Sequence, residues 1–493
     1  MKTSLSMLLL LLCIGLQPLS SRASEEMLEI GNISELDLGQ MALILGPDER
    51  EAIRPEPRPL SLDQALELAL EKNLRVEIAT IDVAAVEPTV DAERAFFHPT
   101  AGADGFYLET NEEVRNQTDN FKVHNARAFV RQEVPTGGTV LIGGAWTNEI
   151  PNRDIRSEQA APFVEVRQPL LRGGRIYVSR RFISDAEFDL DIQQARLAAE
   201  VLDVAAQTKI AYYNTVLAAR LIQVVEAAIE RDKALVEASR ALFEAGRVTK
   251  RDVVSAEIQL SRDRIDLASR QAEREASQNL LRDVLGTPID VDLQVTDRNI
   301  PFQPIEMRLD EWIKTALDNR PELLEIRKQI EKAALETRVR ENDLLPVLDV
   351  LGAGRQDVRS GRSNNYDWQV GGLLEIPIGN VAARRRLTSA KALEARTRRE
   401  YEQQERAIEL EVRQIEISLR ESTGRLRNLI RGVEQARSKR EIALARFELG
   451  KADNLDITDA EQDLVAAESD LLRAVVEYAN NIALLEARIA GPV

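Results

Sequence analysis

Phe243-Glu244-Ala245-Gly246-Arg247-Val248-Thr249-Lys250-Arg251-Asp252-Val253 reads as one helix stopping and another starting, and the chain writes it twice. The second copy is Phe447-Glu448-Leu449-Gly450-Lys451-Ala452-Asp453-Asn454-Leu455-Asp456-Ile457. Beyond each glycine an acid, a β-branched residue, an Ala-Glu pair (Ala256-Glu257, Ala460-Glu461) and a leucine (Leu260, Leu464) recur at the same offsets. Gly246 and Gly450 suit the left-handed residue that ends a helix, and Thr249 and Asn454 are the expected N-caps of the returning helices. Upstream, Leu62-Asp63, Leu66, Ala69-Leu70 and Pro99 reappear as Leu309-Asp310, Ile313, Ala316-Leu317 and Pro346, a constant shift of 247. The chain is a tandem repeat with a helical hairpin in each half, which points to an assembly architecture.

Working outward from the reversals, Val178 to Ala245 holds neither proline nor glycine, and Ala383 to Leu449 holds no proline. As helices they would each extend about 100 Å, against about 11–12 residues for an average globular helix. Lys250 to Leu285 and Leu455 to Ile489 return beside them. Apolar and small residues are spread over more than one stripe, as on a helix packed between two neighbours in a tube wall. An ordinary two-helix coiled coil would carry a similar pattern. Ahead of each long tract a shorter helix is expected, from the N-cap Ser61 to about Phe97 and from Leu309 to just before Pro346.

Between short and long helices lie alternating segments. Ala126, Ala128, Val130 and Val134 alternate with Arg127, Phe129, Arg131 and Glu133; Val164 and Val166 alternate with Glu165 and Arg167; Trp368, Val370, Leu374 and Ile376 do the same in the second half. Period-two alternation predicts strands with one apolar face. Pro135-Thr136-Gly137-Gly138 is a tight turn, whereas Asn111–Phe121, Glu149–Ala161 and Arg359–Asn365 read as long polar loops, the asymmetry of a transmembrane β-barrel. The first strand region is the longer, which predicts an extra hairpin near 125–148, four strands there and two in the second half; this hairpin either joins the barrel wall or packs beside it. Six strands are too few to close around a pore, since about eight are needed even for a filled interior. Other copies of the chain must supply the rest.

Composition narrows the function. The formal charge is −17 with 30% charged residues, so general nucleic-acid binding, which needs a basic footprint, is excluded. Lys2, the apolar run Met7–Leu16 and Ser21-Arg22-Ala23 read as an export signal over 1–23, followed by an extended segment over 24–59. Cys13, the sole cysteine, lies inside that signal; Leu12 before it is not the Gly or Ala of a lipoprotein signal, so lipidation is not expected. The mature chain then has no cysteine, and disulfide and thiolate chemistry drop out. No later stretch approaches the ~20 apolar residues of a membrane helix. His98 and His124, the only histidines, read as surface residues, Gly173-Gly174 lacks the Lys-Ser/Thr of a phosphate loop, and no enzyme, metal or cofactor is expected.

The duplicated Leu-Asp-x-x-Leu/Ile-x-x-Ala-Leu opening, Gln168-Pro169-Leu170-Leu171-x-Gly-Gly174, Ile376-Pro377-Ile378-Gly379-Asn380 and the two tips, in this order from Leu60 to Ala490, resemble the TolC-type outer-membrane efflux proteins of Gram-negative bacteria. The resemblance implies a mainly α fold with β: a long-helix α-barrel continued by a transmembrane β-barrel shared among three subunits, built from repeats at 60–302 and 303–493. It implies a homotrimer in outer-membrane lipid, docked on a periplasmic adaptor and an inner-membrane transporter, serving as a passive exit duct for efflux or type I secretion. In such proteins acids six and nine positions after the second tip glycine ring the pore entrance; here these are Asp456 and Asp459, and rings of carboxylates favour cations. The family's entrance lock pairs the acid six after the first glycine, here Asp252, with an aromatic hydroxyl and an arginine. Phe447 and Ala452 stand at those two positions and can pair with nothing. Gly246, Val248, Thr249, Gly450 and Asn454 are the expected adaptor contacts. The alternative, a secreted coiled-coil spacer or adhesin without a pore, accounts for the helices but not for the duplicated strands.

Overall fold

The computed structural model describes residues 58–491 apart from 115–116, 152–156, 289–290, 292, 298–299, 301, 303, 358–364, 450 and 452. The expected signal at 1–23 and all but the last two residues of the 24–59 segment lie outside the described residues. That segment ends in a short strand, β1 (Arg58–Leu60), which pairs in parallel with β6 (Leu293–Val295) between the two halves of the chain.

Each half opens with a broken helix rather than the single one expected. Ser61 caps α1 (Leu62–Lys72) through a reciprocal box with Gln64. The chain leaves the helix at Asn73 (φ −67°, ψ 125°) and resumes as α2 (Leu74–Arg94). In the second half α6 (Leu309–Asn319) breaks at Arg320 (φ −64°, ψ 125°) before α7 (Pro321–Asn342). Asn73 and Arg320 are themselves 247 apart, so the break is part of the repeat. The side chains explain why it persists. Asn73 Nδ2 donates to the Val284 carbonyl (2.7 Å), and Arg320 Nε donates to the Arg488 carbonyl (2.7 Å). Each break residue thus satisfies a carbonyl at the end of its own repeat's returning helix, where orphan acceptors collect.

The strands form one antiparallel sheet, β2 (Thr100–Val114), β3 (Gln117–Glu133), β4 (Thr139–Pro151), β5 (Ser157–Pro169), β7 (Val347–Asp357) and β8 (Asn365–Glu375), neighbours in that order. The extra hairpin therefore joins the sheet and does not pack beside it. β2 and β3 also run through most of the expected loop Asn111–Phe121, pairing as far as Val114 with Gln117. The ladder there is continued by backbone groups where the apolar alternation has stopped. Register sorts the two faces. Val130, Ile142, Val164, Gly354 and Trp368 stand opposite one another across the sheet; Arg131, Leu141, Glu165, Ala353 and Gln369 form the next row, on the other face. Charged pairs such as Arg127–Asp104 (2.5 Å) and Arg167–Asp349 (2.6 Å) lie on that second face. β2 and β8 are left as open edges.

Two turns lead from sheet to shafts. After β5 a short helix, α3 (Ile176–Ser179), turns at Arg180 into α4 (Arg181–Glu244); after β8 the chain enters α8 (Val381–Glu448) directly. With 64 and 68 residues these rise about 96 and 102 Å. α5 (Lys250–Val284) and α9 (Asn454–Ile489) return along them. No helix among the described residues is long and apolar enough to cross a membrane. The cores that join the broken helices to the ends of the returning helices repeat position for position in the two halves. Ala65, Ala69 and Val76 in one answer Trp312, Ala316 and Leu323 in the other, and Leu281 and Leu285 answer Leu485 and Ile489. A third core, at the far end of the shafts, is shared by both hairpins: Leu235, Val236 and Ala256 pack with Ala443, Phe447, Ile457 and Ala460.

Candidate functional site at the hairpin tips

The first tip is a Schellman turn. Gly246 takes φ +68°, its N–H donates to the Phe243 carbonyl (2.9 Å), and Arg247 N–H donates to the Leu242 carbonyl (2.8 Å). The second tip repeats the longer bond, from Lys451 N–H to the Arg446 carbonyl (2.8 Å). Gly450 and Ala452 themselves lie outside the described residues. Val248 is half-buried against the shared tip core, and Thr249 is exposed.

The caps then diverge. Thr249 is the N-cap of α5, and both its N–H (2.8 Å) and its hydroxyl (2.7 Å) donate to Asp252 Oδ2, which draws that carboxylate back into the turn. Asp252 is only 9% exposed. At the second tip the N-cap is Asp453 and not the expected Asn454; its carboxylate accepts from the N–H groups of Leu455 (3.1 Å) and Asp456 (3.2 Å). An acid outranks an amide here because the helix N-terminus favours negative charge. Asn454 becomes the first helical residue and is fully buried, donating through Nδ2 to Ser239 Oγ (2.5 Å) on α4 and to the Asp252 carbonyl (2.9 Å) on α5. Its side chain ties the two hairpins together and is closed to any outside contact. Arg251 adds an exposed link to Asp453 (3.6 Å).

Asp456 and Asp459 are both exposed, three positions apart on α9. Asp456 has no ion pair among the described residues. Lys439, on α8, reaches Asp459 and Asp463 at 2.5 Å each, and those hydrogen bonds push its ammonium up to about 12. Phe447 is buried in the tip core, so it fills space and holds no lock. Neither Arg247 nor Lys451 pairs with Asp252 among the described residues.

Sequence reading missed the polar layer behind the tips. Asp232 on α4, 2% exposed, faces Asp263 on α5; burial, then the Asp263 charge, raise its carboxyl to about 7. Asp263 is raised as well, by burial first, and it accepts from Gln259 Nε2 (2.8 Å). Beside them Glu461 on α9 takes Arg231 (2.8 Å) and Arg440, and Gln462 donates to Gln259 (2.8 Å). Folding the sequence about the tip glycine would have found the acid pair, since Asp232 and Asp263 lie at similar distances on either side of Gly246.

Comparison with known proteins agrees with this architecture. The chain is 24% identical over 338 residues to nodulation protein T of Rhizobium leguminosarum bv. trifolii, covering 64% of this chain and 68% of that one. It is 24% identical over 313 residues to the alkaline protease secretion protein AprF of Pseudomonas aeruginosa, covering 61% of this chain and 62% of that one. The outer-membrane channel OprN superposes with a TM-score of 0.65 at 19% identity, over 87% of this chain and 90% of the other. The family described as outer membrane efflux protein matches in two blocks, residues 65–287 and 312–490. The chain belongs to the outer membrane efflux protein family.

Proposed function

We propose that three copies of this chain close into one duct that carries solutes passively from the periplasm to the exterior, as the exit component of an efflux or type I secretion system. The observation that carries this is the open six-stranded sheet joined directly to helices about 100 Å long. A lone copy leaves β2 and β8 with a row of unpaired backbone groups at each edge, which a bilayer does not tolerate. Six strands from each of three copies make an eighteen-stranded wall, wide enough for an aqueous channel. The charged sheet face suits the lumen and the apolar face the lipid. The chain is exported by the signal at 1–23 and contains structural repeats at 60–302 and 303–493.

At the periplasmic end, Asp456 and Asp459 from three copies ring the entrance and favour cations. An adaptor docks on the tips through Gly246, Val248, Thr249 and Gly450, while Asn454 holds the tip shape from beneath. An inner-membrane transporter supplies the cargo, and the duct takes its specificity from that pump. The entrance is held by Asn454 and by Arg251–Asp453, because Phe447 and Ala452 cannot build the family's polar lock on Asp252.

The test is to purify the full chain from outer membranes and add it to planar bilayers. Heat-modifiable trimers that conduct, with cation preference reduced in Asp456→Asn/Asp459→Asn, are expected. A stable soluble monomer that never conducts overturns the duct. Conduction with unchanged selectivity in the double variant overturns only the carboxylate ring.

A further inference from the structure

The chain holds 82 acids, about one in every six residues, yet none lies between Glu165 and Asp185 or between Glu375 and Glu394. Those two acid-free stretches carry nine cations; Arg167 and Lys391 are ion-paired and Arg181 has Asp185 four positions on, which leaves Arg172, Arg175 and Arg180 in the first half and Arg384, Arg385 and Arg386 in the second. Both are the passages from sheet to shaft, and the fold brings them to one rim. β7 lies between β5 and β8 in the sheet, and the first passage is tied to its start by Leu170 N–H to the Leu348 carbonyl (2.8 Å) and Arg172 N–H to the Pro346 carbonyl (3.3 Å). The second leaves from Glu375, which stands opposite Val347.

On the shafts, arginines pair with acids four positions away, as in Arg396–Glu400, Arg398–Glu394 and Arg413–Glu409. The six rim arginines have no acid three or four positions away, and none forms an ion pair among the described residues. Nearby acids are already engaged: Asp343 with Arg340 (3.0 Å), Glu341 with Lys391 (3.0 Å) and Asp349 with Arg167 (2.6 Å). Glu375 is exposed at the same end. Beside the arginines, large apolar side chains stand in the open: Leu170 (51%), Ile176 (55%) and Phe182 (54%) in one passage, and Ile376 (63%), Ile378 (101%) and Val381 (65%), all on the sheet side of Arg384, in the other. Unpaired guanidinium groups next to exposed apolar side chains suit the boundary between lipid headgroups and acyl chains. The spacing agrees. Tyr366, at the far end of the same face of β8, is ten steps from Ile376, about 33 Å along the strand and about 25 Å along the bilayer normal at a 40° tilt, the height of a barrel's apolar band.

We propose that this rim is a binding surface for the phosphate headgroups of anionic phospholipids in the inner leaflet of the outer membrane, built once in each repeat. The arginines hold the phosphates, bidentate where geometry permits, and the apolar residues beside them enter the acyl region. The surface sets the height of the sheet in the membrane independently of whatever the duct carries.

The assembled full-length protein in detergent, exposed to equimolar dioleoyl phosphatidylglycerol and dioleoyl phosphatidylcholine and then delipidated, is to be weighed by native mass spectrometry. Wild type should retain phosphatidylglycerol preferentially, and 1 M NaCl should erase the preference. Arg384→Gln/Arg385→Gln/Arg386→Gln should cut the preference at least about fivefold, while the triple lysine variant keeps most of it. If the glutamine variant fails to assemble, Arg172→Gln/Arg175→Gln probes the same rim from the other repeat and should also lower the preference. No lipid preference in wild type, a preference that survives high salt, or one unchanged in assembled glutamine variants overturns the proposal; so does displacement by millimolar inorganic phosphate, which would make the rim a soluble-anion site.

Discussion

The two hairpin tips solve the same reversal with different residues, and the differences decide which acids face outward. Asp252 and Asp456 occupy the same position, six after the glycine and third in the returning helix. At the first tip the N-cap is Thr249, a donor, and it draws Asp252 inward. At the second it is Asp453, which is itself an acceptor and repels a second carboxylate, so Asp456 stays in solvent. Phe243 and Phe447 are likewise equivalent, three before each glycine, but Phe243 is 45% exposed and Phe447 is 6%. Behind the tips the first hairpin buries Asp232 against Asp263, where the second has Ala436 and Ala467. At the caps, therefore, the first hairpin draws its acid inside and the second presents it. A duplicated motif inherits its backbone geometry from a few turn residues, whereas charge display depends on a single capping side chain.

The largest test of this contrast is at the paired phenylalanines. Phe447→Ala should destabilise the tips by about 3 kcal/mol and Phe243→Ala by under about 1 kcal/mol, since only the first leaves a cavity. Thermal melts of the two variants that lowered stability equally would break the asymmetry. Next is the tie between hairpins. Asn454→Ala removes donors to Ser239 and the Asp252 carbonyl and should cost about 2 kcal/mol, against near zero for the equivalent Lys250→Ala. Hydrogen exchange at both tips should rise in the first variant only.

The buried acid pair makes the comparison depend on pH. Asp232 has a folded pKa near 7, above that of an unfolded carboxyl, so the folded chain holds a proton that the unfolded chain releases. That favours folding most in acid, and stability should fall as pH rises from about 4 through about 7, then level off. Between pH 5 and 8 the loss should be about 2–3 kcal/mol, and Asp232→Asn should flatten it. An unchanged pH slope of the melting temperature in that variant would remove the pair from the account. The smallest effect is at the caps themselves. Asp453→Thr should draw Asp456 into a reciprocal box and lower cation preference about twofold in bilayers, while Thr249→Asp should release Asp252 and leave the selectivity of the second tip intact.

Much of the architecture could be read from the chain because its signals are local. Glycine at a helix end, alternation in a strand, and a repeat at constant shift each depend on residues a few positions apart. The long helices, the six strands and both reversals follow from them. The breaks at Asn73 and Arg320 could not be read, since each rests on a bond to a carbonyl more than 150 positions away. The same holds for Asn454, whose place as a buried tie and not a cap depends on Ser239 and Asp252 arriving beside it. By itself, then, the sequence determined the long helices and the sheet strands, their order, their duplication and the shortage of strands that demands other copies. Only the tertiary structure decided which acids are caged and which are displayed, where the extra hairpin goes, and that two acid-free stretches meet on one rim. The reason is physical: secondary structure answers to neighbours in the chain, while burial and charge pairing answer to neighbours in space.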